Sequence, residues 1–432
     1  MNVLFRTLYA GAVSLARLAT AVAPASDRKL WRAFRARRGL LDRWAAIAPP
    51  RDPSRPLVWL HAPSVGEGLQ ARPVAHALRA ARPDVQQAYS FFSPSAERFA
   101  ASVGAEFTEY LPFDGAREAD RLLSLVQPQL LVFVKLDVWP TLVARAVARG
   151  VPVAMLSATL SATSRRRGVL ARALLREAYA AMSLVGAIDA DNAERLVALG
   201  VRRDRVRVTG DTRFDQVWQR AQGVDRGSAL LTATASDRPT LVAGSTWPSD
   251  EAVLLPAWAT LRRSVPRARL IIAPHEPTAA HLTPIMDWAR ASGLQVCSLG
   301  ELTHPIGAAP DDPDVIVVDR VGVLGDLYAH ATAAFVGGGF HRAGLHSAIE
   351  PAAFGAPVLF GPGHRMSREA GLLLAAGGAG AVADASTLSA ALASWLGDMQ
   401  LRSSAGAAAR AIVERERGAT ARSLALLTEL IG

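Results

Sequence analysis

The sequence predicts an α/β protein with two Rossmann-like domains, a cleft between them and a helical N-terminal segment. Three observations support this prediction. Short apolar runs alternate with stretches of helical periodicity from residue 57 onwards, which is typical of parallel sheets covered on both faces. The length of 432 residues exceeds one ordinary domain. Residues 222–238 have a poorer pattern and are rich in Gly, Ser and Thr, which indicates a connection between two units.

The predicted organisation has four parts: a membrane-interface helical segment over 1–50, a first α/β domain over 51–221, a linker over 222–238 and a second α/β domain over 239–432. Strands of the first domain are predicted at 57–61, 86–91, 130–134, 151–156, 184–188 and 205–209, with helices between them, for example over 69–82 and 139–149. Strands of the second domain are predicted at 240–244, 268–273, 294–298, 314–318, 333–337, 357–360 and 380–383, before a helical region over 386–431.

The N-terminal segment combines an apolar stripe with a basic flank. Its first residues repeat apolar side chains at helical spacing: Leu4, Leu8, Ala12, Leu15 and Leu18. Arg6 and Arg17 interrupt it, so no run of about 20 apolar residues predicts a spanning helix. Arginines around Trp31 and Phe34 favour a helix that lies in a membrane interface. The alternatives are a core-packing helix and a signal peptide that is cleaved after Ala23.

Charge and cysteine content narrow the classes of partner. The net charge of +10 is concentrated in patches over 28–43 and 165–167, which favour anionic partners. The sequence lacks the aromatic-interleaved basic surface, zinc finger or helix-turn-helix pattern of nucleic-acid binders, so no nucleic-acid partner is predicted. The single cysteine, Cys297, allows neither an internal disulfide nor a cysteine metal cluster and fits a reducing compartment.

A strand, a turn and a helix start surround Glu67. The apolar run 57–60 predicts a buried parallel strand, after which Gly66 and Gly68 leave room for the close approach of a ligand or a backbone. Glu67 therefore lies at the carboxyl end of a strand, where open α/β sheets bind ligands. It can act as a general base, or it can form a capping box with Ser64.

The second domain has a similar strand–loop–helix stretch. Strand 333–336 leads into Gly337, Gly338 and Gly339, and a helix is predicted to begin near Ser347. Bare N–H groups and a helix N-terminus form an anion site, so we expect a phosphate here. Glu350 can accept hydrogen bonds from a ribose diol or cap the helix with Ser347. The spacing fits neither the dinucleotide fingerprint nor a Walker loop, and the glycines also suit an ordinary loop.

Polar residues follow two further strands of the second domain. Ser245 and Thr246 can bind a phosphate or cap the next helix. His275, within a Pro-His-Glu-Pro run that includes Glu276, is either a ligand contact or a turn residue. We expect all four at the ligand-binding edge of the sheet, because the carboxyl ends of parallel strands share one edge.

The first domain offers two comparable positions. Arg213 can pair with an anion in the cleft or with Asp215. Lys135 and Asp137 follow a strand and can belong to the site or form a local ion pair. The residues alone do not decide between these alternatives.

Taken jointly and in order, several stretches resemble the 3-deoxy-D-manno-octulosonate (Kdo) transferases of lipid A synthesis over nearly the whole length. The matching stretches are Trp59-Leu-His-Ala-Pro-Ser-Val-Gly-Glu67, Phe91-Phe-Ser-Pro-Ser95, Tyr110-Leu-Pro-Phe-Asp114, Phe133-Val-Lys-Leu-Asp-Val-Trp139, Val208-Thr-Gly-Asp-Thr-Arg-Phe-Asp215, and Phe335-Val-Gly-Gly-Gly-Phe340 through His346, Glu350 and Phe360-Gly-Pro362.

The resemblance implies a two-Rossmann-domain (GT-B) glycosyltransferase that uses CMP-Kdo as donor, held mainly by the second domain. The acceptor would be a lipid A precursor, lipid IVA, presented to the first domain at the cytoplasmic face of the inner membrane, on which the protein would be peripheral or monotopic. Glu67 would remove the acceptor's proton in an inverting reaction without a cofactor or essential metal. Acceptor or cleft residues would be Ser64, Gly66, Lys135 and Asp137; donor-binding residues would be Arg213, Ser245, Thr246, His275, Glu276, Gly337, Gly338, Gly339, His346, Ser347 and Glu350.

The chain departs from the family pattern at three motifs. Many members have Glu-x-Glu where this chain has Lys135-x-Asp137. Many also have Gly-Gly-His-Asn where this chain has Gly344-Leu-His-Ser347, and Arg-His-Pro-Glu where it has Pro274-His-Glu-Pro277. These departures match a subgroup of the family, but they leave any second acidic role near Lys135 open. The alternatives are another membrane-associated glycosyltransferase with a different nucleotide-sugar and a catalytically inactive relative.

Overall fold

Two α/β units form the protein in a computed structural model that describes residues 3–26, 28–48, 51–303 and 310–432, with the side chains of 3–6 and 29 outside the description. The first unit comprises Met1–Gln216 and Arg417–Gly432, and the second comprises Val217–Glu416. Each contains a seven-stranded sheet within these ranges. All neighbouring strands pair in parallel. The fold class predicted from the alternating pattern is confirmed.

The first sheet has the strand order β3-β2-β1-β4-β5-β6-β7. Its strands are β1 (Leu57–His61), β2 (Gln86–Phe91), β3 (Phe107–Tyr110), β4 (Leu130–Val134), β5 (Val153–Ala158), β6 (Leu184–Ala187) and β7 (Val206–Val208). The central strands β1, β2, β4 and β5 are buried throughout because helices cover both faces of the sheet. The sequence interpretation missed β3, an edge strand in which Thr108 and Glu109 are half-buried and break the apolar run.

Helices of the first unit connect these strands or flank them. They are α1 (Val3–Val22), α2 (Lys29–Arg35), α3 (Leu40–Ile47), α4 (Val65–Ala81), α5 (Glu97–Ala100), α6 (Ala116–Val126), α7 (Pro140–Ala148), α8 (Val169–Ala180), α9 (Ala190–Leu199) and α10 (Thr212–Gly223). Trp44 of α3 is fully buried against Trp59 of β1, with ring centroids 5.9 Å apart, so part of the N-terminal segment belongs to the core.

The second sheet has the order β10-β11-β9-β8-β12-β13-β14. Its strands are β8 (Thr240–Thr246), β9 (Arg269–Pro274), β10 (Val296–Ser298), β11 (Val315–Val317), β12 (Ala333–Val336), β13 (Val358–Phe360) and β14 (Ala379–Ala381). The remaining helices of the chain are α11 (Ala229–Ala233), α12 (Pro248–Ser264), α13 (Ala279–Ala291), α14 (Leu299–Thr303), α15 (Leu324–Leu327), α16 (Ile349–Ala353), α17 (Arg368–Ala375), α18 (Ala385–Gly397), α19 (Met399–Glu416) and α20 (Ala419–Ile431).

The boundary between the units differs from the predicted linker. Residues 222–238 contain the end of α10 and the whole of α11, and they belong to the second unit. Helix α20 returns to the first unit, where the Asp215 carboxylate accepts hydrogen bonds from the N–H groups of Gly418 and Thr420, each at 2.6 Å. Leu427 of α20 is buried in the first core. The domain predicted over 239–432 therefore loses its last 16 residues to the first unit.

Helix α1 lies against the first unit with its polar face inward. The Tyr9 hydroxyl donates to Asp114 at 2.9 Å, and Arg17 pairs with Glu118 at 2.9 Å. Its opposite face leaves Leu8, Leu15, Leu18 and Val22 exposed, at 61–78% of their surface. The predicted stripe is thus exposed from Leu8 onwards, and the side chain of Leu4 lies outside the described residues. Within the described ranges, no helix is both long and apolar enough to span a membrane.

Much of the basic patch over 28–43 has an internal role. Arg38 donates to the carbonyls of residues 20, 21 and 23 at the end of α1, and Arg43 pairs with Glu109 at 2.7 Å. Arg37 is buried, with its guanidinium 3.6 Å from the ring centroid of Phe92. The expectation of an anionic partner is wrong for Arg37, which is buried, and stays a prediction for exposed Arg38 and half-buried Arg43.

Near its centre, each sheet has a point at which the strand order reverses. In the first sheet this point lies between β1 and β4, and in the second it lies between β8 and β12. Loops diverge at such a point and leave a crevice at the carboxyl ends of the strands, where α/β proteins bind ligands. The predicted site residues follow these four strands or their neighbours, except Arg213, which follows β7 at the edge of the first sheet.

Candidate active site

The first crevice brings together three of the predicted residues. Ser64 precedes α4 and donates from its hydroxyl to the Glu67 carboxylate. Lys135, in the loop after β4, donates from Nζ to Oε1 of Glu67 at 3.1 Å. Ser64 makes no side-chain hydrogen bond to a backbone N–H of the helix, so the capping-box interpretation of Ser64 and Glu67 is wrong. Ser64 and Lys135 instead hold the Glu67 carboxylate in place.

The carboxylate of Glu67 is held in its charged form. Burial by itself raises the pKa of Glu67, but the hydrogen bond from Ser64 and the charge of Lys135 outweigh it, so the pKa lies below its usual range. The Glu67 side chain is 16% exposed, whereas the Lys135 side chain is 45% exposed. An ionised carboxylate that reaches solvent at a ligand-binding crevice can accept a proton from a bound hydroxyl.

Lys135 occupies a left-handed backbone conformation, with φ of 68°. This region is uncommon for a residue with a Cβ atom, so the surrounding structure has to hold it. The next residues do so: Asp137 accepts hydrogen bonds from Trp139 Nε1 at 2.9 Å and pairs with Nε2 of His61 at 3.2 Å. Lys135 and Asp137 do not form the local ion pair that was one alternative. Lys135 contacts Glu67, and Asp137 anchors the loop.

A buried hydrogen-bond chain connects this loop to the sheet. Fully buried His61, the last residue of β1, contacts Ser90 Oγ through Nδ1 at 2.9 Å. Ser90 Oγ also accepts from Trp59 Nε1 at 2.9 Å. Because the ionised Asp137 carboxylate can only accept, the proton between it and His61 belongs to His61 Nε2. Burial raises the pKa of Asp137, but His61 and Trp139 outweigh it, and the pKa is lowered.

The two glycines around Glu67 have different roles. A Cβ on Gly68 would lie 2.4 Å from the Phe99 ring and 2.9 Å from the Tyr89 hydroxyl, so this glycine permits close packing inside the unit. A Cβ on Gly66 would meet only Ser64 Oγ at 3.8 Å. Gly66 is exposed and leaves the approach to Glu67 open, as predicted, whereas the close contact at Gly68 is with the protein itself.

Arg213 pairs with a different acid from the predicted one. Its Nη2 lies 2.7 Å from Oδ2 of buried Asp211, which also accepts from Gln70 at 3.2 Å. Asp215, the expected partner, caps α20 instead. Arg213 lies in the first unit, half-buried, so its predicted contact with a donor stays a prediction.

In the second unit, the glycine loop after β12 is held from within the protein. Fully buried Asp250 accepts from the N–H groups of Gly338 at 2.7 Å and Phe340 at 3.0 Å. The N–H of Gly337 donates to the Gly244 carbonyl at 2.9 Å. The expectation that these N–H groups bind a phosphate is therefore wrong for Gly337 and Gly338, because both already donate to acceptors within the protein. These acceptors fix the loop at the edge of the crevice.

The glycines themselves are required by close backbone contacts. A Cβ on Gly337 would lie 2.2 Å from the Ser245 carbonyl oxygen, and one on Gly339 would lie 2.4 Å from the N atom of Gly361. Gly338 has φ of 87°. Ser245 also has a positive φ, of 54°, while the Thr246 hydroxyl donates to Glu251 at 2.8 Å. Thr246 thus bonds a side chain of the next helix and does not cap it, because the N-cap of α12 is Trp247; its predicted phosphate contact stays a prediction.

Four rings form a column at this edge of the second sheet. Trp247 stacks on His341 with centroids 4.2 Å apart and on His275 at 4.6 Å, and His275 stacks on His346 at 4.4 Å. Trp247 Nε1 donates to His346 Nε2 at 3.1 Å. Burial, together with His275, lowers the pKa of His346 to about 4, so this ring is neutral near pH 7. His275 and Glu276 are both exposed, so His275 can take part in ligand contacts from the solvent side of the column.

Ser347 and Glu350 lie near the start of α16, as predicted. The helix begins at Ile349 and has five residues, and its N-cap makes no side-chain hydrogen bond, so no capping box forms. Burial raises the pKa of Glu350, although Arg220 and Ser347 oppose this change. Its predicted contact with a ribose diol stays a prediction.

Sequence reasoning missed several members of both sites. It did not assign roles to His61 and Ser90 behind Asp137, or to Trp247, Asp250 and His341 in the second unit. Polar residues at the ends of β1, β2 and β8 were a usable signal, since these strands border the crevices. Asp250 lies one turn into a helix, a position that a sequence pattern does not distinguish from an ordinary cap. Across the described ranges, no group of three or more His, Cys, Asp or Glu residues is placed to hold a metal ion.

Solved structures that match most of the chain confirm the GT-B type of fold. One is a putative UDP-N-acetylglucosamine 2-epimerase from Listeria monocytogenes, with a TM-score of 0.61 and 13% identity, covering 87% of this chain and 96% of that one. Another is a glycosyltransferase from Rickettsia africae, with a TM-score of 0.56 and 10% identity, covering 87% and 97%. Similarity at this level of identity concerns the fold alone.

Sequence relatives identify the family. Residues 32–216 match the model of the 3-deoxy-D-manno-octulosonic-acid transferase (kdotransferase) family. The chain is 32% identical over 423 residues to 3-deoxy-D-manno-octulosonic acid transferase of Bordetella pertussis, covering 93% of this chain and 96% of that one. It is 28% identical over 331 residues to the enzyme of the same name from Haemophilus influenzae, covering 76% and 75%. The protein therefore belongs to the Kdo transferase family.

Proposed function

We propose that this protein transfers Kdo from CMP-Kdo to a lipid A precursor, lipid IVA, in lipopolysaccharide synthesis. The observation that carries the proposal is the ionised Glu67 carboxylate, held by Ser64 and Lys135 at the crevice of the first sheet. The full-length relationship to the Bordetella pertussis transferase supports the choice of sugar. We further propose that the reaction inverts configuration and needs neither a metal nor a cofactor.

In this reaction Glu67 acts as general base. Its carboxylate accepts the proton of an acceptor hydroxyl while the hydroxyl oxygen bonds to the anomeric carbon of Kdo. The bond from that carbon to the CMP phosphate breaks, and CMP leaves with the electron pair. A positioned base of this kind contributes about 10²–10⁴-fold to the rate. Lys135 keeps the carboxylate ionised between turnovers.

The donor is proposed to bind the second unit at the crevice between β8 and β12. Ser245, at the end of β8, and exposed His275, after β9, supply polar groups there. The ring column of Trp247, His275, His341 and His346 gives this edge a defined shape. Hydrogen-bond donors at such an edge suit the phosphate of CMP and the carboxylate of Kdo.

We propose a peripheral or monotopic location at the cytoplasmic face of the inner membrane. The support is the exposed stripe of Leu8, Leu15, Leu18 and Val22 on α1. A second exposed apolar pair, Val169 and Leu170, follows the basic run 165–167. Apolar side chains beside arginines suit the boundary of acyl chains and anionic headgroups.

The test is transfer from CMP-Kdo, generated in the assay, to tetraacylated lipid IVA, followed by mass spectrometry. Wild type is compared with Glu67→Gln, which keeps the size of the side chain and removes its charge. We expect Kdo addition by wild type and a loss of about 10²–10⁴-fold in the variant. Excess chelator should not change the rate, and NMR of the product should show an inverted anomeric centre.

The outcomes separate the parts of the proposal. Equal activity of wild type and Glu67→Gln would remove Glu67 as the base. Absence of product from wild type that still binds CMP would point to another sugar or acceptor. Absence of CMP binding would refute the donor, and a panel of nucleotide-sugars would then identify the alternative glycosyltransferase.

A further inference from the structure

A groove of about 830 Å³ lies in the first unit, between α1, α7 and α8. Its volume is in the range of sites that enclose organic ligands. Each helix contributes residues at helical spacing, for example Ala10 and Val13 from α1, Ala144 and Val147 from α7, and Leu174 from α8. The lining on α7 runs from residue 140 to 148, so the groove is about 12 Å long.

The groove has an apolar floor that is open to solvent. Val143 is fully buried beneath it, while Val147 is 43% exposed and Ala144 is also exposed. An open channel lined by aliphatic side chains suits an unbranched hydrocarbon chain. Each methylene that leaves water on entering such a channel favours binding about fourfold.

Charge and position indicate what the hydrocarbon is attached to. Exposed Arg117 lines the groove and suits a phosphorylated headgroup. Arg17 and Arg145 also line it and already pair with Glu118 at 2.9 Å and Asp120 at 3.7 Å, respectively. At one end, Asp114 accepts from the Tyr9 hydroxyl at 2.9 Å and from the Thr141 N–H at 2.7 Å. Thr141 lies in the first turn of α7. The loop that precedes this helix contains Lys135, which contacts Glu67. The groove therefore ends beside the loop that carries the proposed catalytic machinery.

We propose that this groove binds an acyl chain of the phosphorylated lipid acceptor and so places the sugar hydroxyl near Glu67. The proposal rests on the function proposed above and names the part of the acceptor that this unit recognises. An acyl chain of the surrounding membrane is the competing occupant, and the experiment distinguishes the two.

The experiment fills the groove in the full-length protein. Ala144→Phe places a ring in the channel at an exposed position, and Val147→Trp does so one turn further along α7. Ala198→Phe is the matched control, because Ala198 is exposed on α9 and does not line the groove. KM and kcat are measured in detergent micelles with tetraacylated acceptor and with the same phosphorylated disaccharide after complete deacylation.

Blocking about three methylenes should raise the KM for tetraacylated acceptor about fiftyfold and leave kcat within about twofold. The KM for deacylated acceptor should not change, and Ala198→Phe should match wild type with both. Equal losses with both acceptors, or no loss with either groove variant, would overturn the proposal. Weaker binding to lipid vesicles with an unchanged KM would overturn it in favour of a membrane lipid. Failure of wild type itself to use any acceptor would instead refute the proposed function.

Discussion

Replacing Lys135 by Met removes the charge and the hydrogen-bond donor next to Glu67 and changes little else. Met is an unbranched side chain of similar length, and it keeps the Cβ atom in the left-handed backbone conformation of residue 135. The hydrogen bond from Ser64 to Glu67 is not altered. Any change in the titration of Glu67 then reports the loss of the Lys135 ammonium group.

The magnitude follows from the distance between the charges. At 3.1 Å, the attraction between Nζ of Lys135 and Oε1 of Glu67 is about 1.3 kcal/mol in a water-like dielectric. The 45% exposure of the Lys135 side chain makes the water-like dielectric the appropriate one. Lys135 lowers the pKa of Glu67, so its removal should raise that pKa.

The assay is the pH dependence of kcat/KM for transfer, with wild type and variants measured over the same buffers. A general base works only when ionised, so activity falls as the pH drops through the pKa of Glu67. The acid limb of Lys135→Met should lie at higher pH than that of wild type. Lys135→Arg keeps the charge and should stay close to wild type. Lys135→Glu adds a like charge and should move the limb further upward.

Two results would refute this reasoning. If the acid limb of Lys135→Met coincides with that of wild type while Glu67→Gln is inactive, Lys135 does not control the base. If the limb moves to lower pH, the sign of the interaction is wrong. A fall in kcat at all pH values without a shift would assign Lys135 to substrate contacts.

Three further predictions follow from the geometry. His61→Ala leaves Asp137 and Ser90 without their buried partner and should lower the free energy of unfolding, measured with denaturant, by about 3 kcal/mol. A loss below about 0.5 kcal/mol would contradict the role of His61 in anchoring the loop of Asp137. Gly337→Ala places a Cβ 2.2 Å from a backbone carbonyl oxygen and should lower the free energy of unfolding by about 3 kcal/mol or more. Its control Gly293→Ala, at an open position with φ of 69°, should lower it by about 1 kcal/mol, and equal losses would contradict the packing argument. Leu15→Asp together with Leu18→Asp should weaken vesicle binding at least tenfold in a flotation assay without a change in unfolding free energy, and unchanged binding would contradict the proposed membrane contact.

The buried strands could be predicted from the sequence because their signal is local. An apolar run such as 57–61 has few alternatives in an α/β protein, and the structure places β1 over those residues. Strand β3 was not predicted because it lies at the edge of the sheet, where Thr108 and Glu109 are only half-buried and interrupt the apolar run. Glu67 was found because its strand–turn–helix context is also local.

The remaining features depend on contacts between distant residues. Asp250 accepts hydrogen bonds from the N–H groups of Gly338 and Phe340, which lie 88 and 90 positions further along the chain. No pattern near the glycines predicts these hydrogen bonds. The pairing of Lys135 with Glu67 joins residues 68 positions apart. The arginines over 28–43 look like a solvent-facing patch until the carbonyls that they bind are known. Their roles follow from three-dimensional proximity, which composition does not contain.

The return of α20 to the first unit has a consequence for the order in which the protein folds on the ribosome. The chain emerges from its N-terminus, and domains generally fold as they become complete. The second unit is finished at Glu416, before the last helix of the first unit has been synthesised. Until then, Asp215 lacks the N–H groups of Gly418 and Thr420, and the core lacks Leu427. The unit that begins first is therefore the last to close, and ribosome-bound chains that stop before residue 417 should expose part of its core to chaperones and proteases.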